Sequence, residues 1–573
     1  MDNVTRRSFV RGMALTGAAA TTSGLVGSAV AAEAETGAAK PTTAADYFGK
    51  WSFEIAPDPI TDDQIAETIE AEVVVVGAGT AGLVTANSAA DEGLDVILIT
   101  ASSIPIGRGG SNHAAWSKAK ERLGCPRDTA VELERELRTQ GSMVDARKWY
   151  SYFNNSEEAM NWLIDIMEAA GYETVVEAKM SILDDGAVMN CIGAHGWVNE
   201  ENPTGPMNQP LVVNELARRL EEITGRPVYY NNIGRQLVRG GVANGTEGRV
   251  DAIIAEREDG TFVKYVGTKA IVLATGDFSC DRDMMAKYAP EVYRFVTPEY
   301  FDEEHDYDKA FVYGGIYYGD GQKMGLWCGA AWQKGWTCGY NGGGAKSCPP
   351  VNGGMLFPAL CVSRDGKRFC NEYANLGNGP FTQYVSSPGH TCYSIWDSAY
   401  ASKYPLPWLG EGPRWLEGGV TPSLTPEEML AEWDVRVMIG MYQKADTLEE
   451  LIEMMGLPES TLDTIAHYNE MCANGYDEEF HKDPSLMIPV EEGPFYGVFG
   501  DSNFFLCVLG GLRTSGNMEV CDEDDNPIPG LYNVGSMAGD MFHVGYTAQL
   551  PGFTLGSFVA LGYKLGKFIK EHE

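Results

Sequence analysis

A chain of 573 residues with 44% hydrophobic and 10% aromatic content can build sizeable cores in two to four domains, which excludes a disordered protein. Its formal charge of −37 excludes nucleic acid and anionic membrane surfaces as natural partners, because both would repel it. The twelve cysteines contain no C-x-x-C pair, so no zinc ribbon or haem attachment is expected, no metal site is assigned, and they read as mostly buried thiols.

The first element is "VTRRSFVRGMALTG" (4 to 17), where Arg6 and Arg7 are followed by an uncharged run from Gly12 to Ala32. Ala29, Val30 and Ala31 end the run in an A-x-A cleavage pattern. This order of regions reads as a twin-arginine signal over residues 1–31, and the translocase of that route is then a transient partner. The run is rich in Gly, Ala, Ser and Thr and is weakly apolar for a spanning helix, although a signal kept as an anchor is the alternative. An exported, periplasmic or outer-face location follows. The twin-arginine route carries proteins that are already folded, often around a cofactor. Residues 32–70, rich in Ala, Thr, Pro and acids, read as a spacer.

From Ala71, "AEVVVVGAGTAGLVTANSAADEGLDVILIT" reads as a buried strand, a glycine turn, a small-residue helix and a second strand at Val96 to Ile99. The turn Gly77, Ala78, Gly79, Thr80, Ala81, Gly82 has G-x-G-x-x-G spacing. The first glycine suits the tight turn, the second close approach of a pyrophosphate, and the third packing of helix on strand. Dinucleotide binding is the expectation, with the diphosphate at the helix N-terminus. Thr100 stands where an acidic residue usually holds a ribose hydroxyl, and its own hydroxyl makes a weaker partner.

Three more glycine-rich stretches follow. They are "GRGGSNHAAW" (107 to 116) with Gly109, Gly110, Ser111 and Asn112, "AIVLATGDFS" (270 to 279) with Ala274, Thr275, Gly276 and Asp277, and "IPGLYNVGSMAGD" (528 to 540) with Gly535 and Ser536. With the first motif they resemble the flavoprotein family of fumarate reductases, succinate dehydrogenases and 3-ketosteroid dehydrogenases, over about residues 70 to 573. The resemblance implies FAD lying across several strand ends, bound noncovalently because His113 does not align with the attaching residue of some relatives. "GDGQKMGLWCGAA" (319 to 331) is similar to the family's GDG helix, and "VSRDGKRFCNE" (362 to 372), ending at Glu372, to its R-x-G-x-R-F-x-N-E hairpin. Asp365 and Gly366 also suit a plain two-residue turn. The implied fold is α/β: a Rossmann-like FAD-binding domain in two parts, 71–334 and 504–573, with an inserted α+β capping domain at 335–503. Seven of the twelve tryptophans fall between Trp327 and Trp433, which suggests an aromatic pocket closed over the flavin.

The dicarboxylate clamp of the fumarate reductases is missing wherever it aligns. Tyr400 in "IWDSAY" replaces the family's proton-donating arginine, Cys507 a histidine, and Gln549 another arginine. Two carboxylates entering a dry pocket without cations would meet a desolvation penalty of roughly several kcal/mol each. The segment "GYTAQLPGFTLGSF" looks instead like the ketosteroid dehydrogenase run, with Gly552, Thr554, Leu555 and Gly556 matching and Tyr546 two residues early. The resemblance implies an enzyme acting on C=C or CH–CH groups. Hydride would pass to an activated C=C bond of an uncharged or aromatic small molecule, an enone, steroid-like ketone, cinnamate-like acid or polyphenol. Gly552 N–H and Tyr546 would polarise a carbonyl and Tyr400 would deliver the proton. Run backwards, the site is a ketosteroid-type dehydrogenase. Electrons would come from a separate membrane-linked cytochrome or quinol system, as in anaerobic respiration. A flavin carrier without its own substrate is the remaining class.

Overall fold

The computed structural model describes residues 49–573 except for positions within 126–143, 177–193, 203–207, 294–304, 309–316, 341–354, 373–386, 406–423, 502–506 and 543–551. The twin-arginine segment and residues 32–48 of the spacer lie outside the described residues. Strand β1 (Ile65–Val76), helix α1 (Thr80–Asp91) and strand β2 (Val96–Ile99) form the expected unit. Val73 to Val76 are buried on both faces, because β1 lies between two parallel neighbours. The strand starts at Ile65, inside the stretch read as spacer, and Ile65 pairs with Phe262. Helix α2 (Ala146–Ala169) and helix α3 (Gln209–Thr224) follow, then β3 (Asn232–Arg239), β4 (Val250–Arg257) and the long β5 (Phe262–Leu273). Strand β5 pairs antiparallel with β4 along its first half and parallel with β1 along its whole length. One strand thus joins a parallel nucleotide-binding half to an antiparallel extension.

The inserted region is built around its own sheet. Helix α4 (Asp320–Trp327) closes the first half of the nucleotide-binding domain. Strands β6 (Leu360–Val362), β7 (Thr391–Asp397), β8 (Gln443–Ala445) and β9 (Phe495–Asp501) form a four-stranded sheet in the order β6, β7, β9, β8. Phe357, Trp396, Tyr400, Tyr404, Trp408, Trp433 and Tyr496 form one closed aromatic core in it. The short strand Cys338–Tyr340 pairs antiparallel with Cys507–Leu509, so the chain enters and leaves the insertion as a two-stranded stem. Seven of the ten described cysteines are buried.

A second polar core sits under the hairpin. Asp365 and Gly366 form its turn, with Gly366 at φ +74° and its N–H donating to Ser363 O at 2.9 Å. Beyond it, Arg368 donates to both oxygens of Glu372 (3.1 and 3.0 Å) and both of Asp477 (2.9 and 2.9 Å). Lys482 Nζ stands 3.5 Å from Glu372 and donates to Pro358 O at 2.7 Å. All four side chains are buried. The chain then returns through β10 (Glu519–Cys521) and β11 (Pro527–Asn533), the latter parallel to the end of β5, and ends in α5 (Phe553–His572). Gly562 and Gly566 let α5 lie directly on α1, where a Cβ would meet Thr85 Oγ1 at 3.0 Å and Ala89 N at 2.6 Å.

Candidate active site

A cavity of about 460 Å³ runs along the C-terminal ends of β1, β2 and β5. At one end the turn after β1 bends so sharply that only glycines fit. A Cβ on Gly77, at φ +117°, would lie 2.3 Å from Ala274 O, and one on Gly82 would lie 2.0 Å from Gly77 O. Gly77 to Ala81 line the cavity, while Gly82 faces back onto the turn. Thr100 lines the same end and shares a 2.9 Å hydrogen bond with Ser102 Oγ. Helix α1 starts at Gly79 with no side-chain cap and no acid in its first turn, which leaves its N–H groups and positive dipole end for an anion.

The other end gathers residues from five separate segments. Gly109 to Ser111, Ala274 to Gly276, Cys507, Leu509, Gly535, Ser536, Gly552, Thr554 and Leu555 all line it. Helix α5 also begins on the cavity without a side-chain cap, at Gly552 with φ +75°. A Cβ there would lie 2.3 Å from Ser111 O, so packing requires glycine at 552. Two uncapped helix N-termini therefore open on one cavity.

Two sequence-assigned residues support the cavity from behind. Asn112 is buried and donates to Gln209 Oε1 at 2.8 Å, and Gln209 donates to Thr80 Oγ1 at 2.9 Å, a chain that ties two glycine turns together. Asp277 is fully buried and accepts from Ser279 N (3.1 Å), Ser279 Oγ (2.6 Å) and Val508 N (3.1 Å). Burial raises its carboxyl above the usual range, against the pull of Arg108 and these donors. Burial likewise pushes the Cys507 thiol up to about 12, so it stays protonated at neutral pH.

The structure moves other assignments elsewhere. Tyr400 does not line the cavity: its ring stacks on Tyr404 at 5.7 Å within the cap core, and its buried hydroxyl has no hydrogen-bond partner among the described residues. Spacing to the family's arginine aligns the backbone position but not the direction of a side chain that is favoured by aromatic burial. Glu372 belongs to the Arg368 cluster, and the Lys482 and Arg368 charges hold its carboxyl below the usual range despite burial. No described tryptophan lines the cavity; Trp396, Trp408 and Trp433 fill the cap's own core. Tyr546 and Gln549 lie outside the described residues.

Sequence reasoning missed Arg108 and Tyr317. Arg108 stands inside the quoted "GRGG", a stretch whose signal lies in its glycines. Tyr317 precedes the GDG turn, and its ring lies flat on Gly276, where a Cβ would be 2.6 Å away. Asn232 to Gly234, Tyr307 and Tyr318 also line the wall.

The profile of the FAD binding domain family matches residues 72–555. The chain belongs to that family. It is similar to vinyl phenol reductase of Lactiplantibacillus plantarum, 26% identical over 530 residues that cover 87% of this chain and 96% of that one. Fumarate reductase (cytochrome) of Shewanella frigidimarina is 23% identical over 510 residues, covering 87% and 76%. Among solved structures, 3-ketosteroid-Δ4-(5α)-dehydrogenase from Rhodococcus jostii RHA1 has the same fold, with a TM-score of 0.64 at 21% identity over 89% of this chain and 99% of that one. The protein is thus an FAD-dependent oxidoreductase, of a family whose members act on C=C or CH–CH groups.

The cavity fits the cofactor. Thr554 Oγ1 is buried on its wall without a hydrogen-bond partner among the described residues, a group that costs about 1–3 kcal/mol unless something in the cavity satisfies it. The turn from Gly77 to Ala81 would hold the diphosphate and Thr100 the adjoining ribose. Gly109 to Ser111, Thr554 and Leu555 would hold the opposite end.

Proposed function

We propose that the protein is an exported reductase of activated C=C bonds in uncharged or aromatic small molecules. FAD, when bound, supplies two-electron hydride chemistry. The observation that supports this substrate class is the wall opposite the diphosphate turn, where Cys507, Leu509 and Tyr317 offer a thiol, an alkyl group and an aromatic face. Arg108 is the single cation among the described lining residues, whereas a dicarboxylate needs each of two charges compensated on leaving water. The kinship with vinyl phenol reductase is in the same direction. The protein's own groups orient the acceptor: Gly552 N–H at the start of α5 polarises an oxygen, and the thiol and alkyl wall excludes water from the conjugated system.

The test is anaerobic mixing of the reduced holoenzyme with enones, cinnamate-like acids, vinyl phenols and fumarate, following flavin reoxidation. Rapid reoxidation by aryl alkenes or enones and slow reoxidation by fumarate is expected. Preference for fumarate, or flavin reduction by saturated ketones in place of reoxidation by alkenes, would overturn the reading.

Export by the twin-arginine route, with electrons from a separate membrane-linked cytochrome or quinol donor, is part of the same proposal. It is supported by Arg6, Arg7, the uncharged run and the A-x-A pattern. Changing both arginines to lysine is expected to leave the protein in the cytoplasm, and a mature form outside the inner membrane in that variant would refute the route.

A further inference from the structure

We infer that His305 to Asp308 form a strap that retains FAD, joining two walls of the cavity at its ribose end through a releasable clasp between Asp308 and Ser103. It rests on the assignment of the cavity to FAD and holds whichever acceptor is reduced. On one side the strap is anchored to α4 and to the residue just before its glycine turn. His305 lies against the Tyr318 ring with centroids 3.8 Å apart, Asp306 N donates to Tyr318 Oη at 2.9 Å, and Tyr307 Oη donates to Asp320 Oδ2 at 3.0 Å. Tyr307, Tyr318 and Asp320 all line the cavity.

On the other side one residue makes the connection. Asp308 accepts from Ser103 N at 2.6 Å and from Ser103 Oγ at 2.8 Å, while its own N–H donates to Asp306 Oδ1 at 2.9 Å and fixes the turn. Ser103 directly follows Thr100, Ala101 and Ser102, the cavity residues after β2, of which Thr100 stands at the ribose position. Neither Ser103 nor Asp308 lines the cavity, and both are exposed. The clasp therefore lies on the solvent side and is not itself a ligand contact.

The two attachments differ in strength. Toward α4 the strap has a ring contact and two partly buried hydrogen bonds, whereas toward Ser103 it has two hydrogen bonds open to water. Exposed bonds exchange with water at small net cost, so local opening begins at the Ser103 side. A strap held firmly at one end and releasably at the other lets a dinucleotide enter and then slows its escape. Retention falls to contacts of this kind, because His113, beside the glycine turn at 109–111, is buried against Tyr152 and does not line the cavity.

The experiment compares wild-type holoenzyme with Asp308→Ala, Ser103→Ala and the double variant. Release is read as the activity that appears when holoenzyme is diluted into excess apo-glucose oxidase, which captures free FAD. Uptake is read as quenching of FAD fluorescence by each protein freed of its flavin. Asp308→Ala removes both acceptors and is expected to speed release on the order of 10-fold, the worth of two exposed hydrogen bonds. Uptake should accelerate by a similar factor and affinity stay within about 3-fold, since a strap that opens more readily opens in both directions. Ser103→Ala keeps the N–H bond and should speed release only about 3-fold. The double variant should match Asp308→Ala, because both changes remove one clasp. Should Asp308→Ala fail to fold, Ser103→Ala and Asp308→Asn carry the same comparison. Unchanged release in every variant would overturn the inference. Faster release with unchanged uptake would do so too, by marking a lost contact to FAD in place of an opened strap, as would additive effects in the double variant. Release and uptake are measured without any acceptor, so failure of the reductase reading and failure of the strap are distinguishable.

Discussion

The nucleotide-binding domain and the cap use polar groups in opposite ways. Around the cavity, the groups that face inward are mostly backbone N–H donors and hydroxyls, with Arg108 and Asp320 the charged side chains among the described lining residues, and two helices begin there without side-chain caps. In the cap, the family's charged motif is turned into the interior, where Arg368, Glu372, Asp477 and Lys482 satisfy one another. The difference teaches that a motif shared with relatives can mark a cofactor surface in one region and a buried scaffold in another. Only the set of partners around each side chain separates the two.

The sharpest way to break this contrast is at the glycine turn. Gly82→Ala would place a methyl group 2.0 Å from Gly77 O, a contact the short β1–α1 turn cannot relieve. Expected is loss of most bound FAD, read as the ratio of flavin to protein absorbance after gel filtration, with roughly 1–3 kcal/mol or more of lost stability from overpacking and strain. A variant that retained full flavin would mean that the turn adapts. In the cap the matching change is Arg368→Met, which strands two buried carboxylates and should cost about 3–5 kcal/mol by denaturant unfolding. Adding Glu372→Gln and Asp477→Asn should recover part of the loss.

Acidification sharpens the comparison, since buried carboxylates in the two regions shift in opposite directions. In the cap, burial opposes ionisation of Asp477, but Arg368 and the N–H groups of Lys482 and Phe480 prevail and hold it below the usual carboxylate range, as Glu372 is held. A depressed folded-state pKa contributes stability that is present above the unfolded value and is lost as pH falls through the folded one. Asp277 is shifted upward by burial, so its contribution is present below the unfolded value and is lost as pH rises through the folded one. As pH falls below about 4, the ordinary range of carboxylates, the cap is expected to become protease-sensitive before FAD is released. Arg368→Met should flatten that dependence. Release of FAD ahead of cap cleavage would reverse the assignment.

Much of the nucleotide-binding domain is legible in the sequence, because a buried four-valine strand and a G-x-G-x-x-G turn are local features whose geometry leaves few alternatives. The antiparallel extension and the start of β1 at Ile65 are less legible, since Ile65 becomes a strand residue by pairing with Phe262, nearly two hundred positions away. The candidate site divides in the same way. Glycines mark the cofactor wall directly. Arg108 and Tyr317 become visible only when Gly276 and Asp277 are seen behind them, and the cap aromatics cannot be sorted from sequence into pocket or core.

The smallest expected effect is at Tyr400, and it bears most directly on the reading of the cap. Position alone suggests that its hydroxyl delivers a proton, in which case Tyr400→Phe would slow flavin reoxidation by about 10²- to 10⁴-fold, the usual worth of a positioned general acid. In the structure the hydroxyl is buried among Phe357, Tyr404 and Trp408 without a hydrogen-bond partner among the described residues, and burial raises its pKa well above the ordinary tyrosine value. A phenol in that setting is a weak acid that faces no reacting atom. Removing its oxygen also removes an unsatisfied buried donor, so stability should be unchanged or rise by up to about 1 kcal/mol. Reoxidation by an accepted alkene should stay within a few-fold of wild type. The two measurements separate the roles cleanly: a protein that unfolds normally but reoxidises hundreds of times more slowly would require the Tyr400 side chain to leave the cap core and reach the cavity during turnover. A variant equal to wild type in rate and slightly more stable would fix Tyr400 as packing and leave proton delivery to residues on the cavity wall.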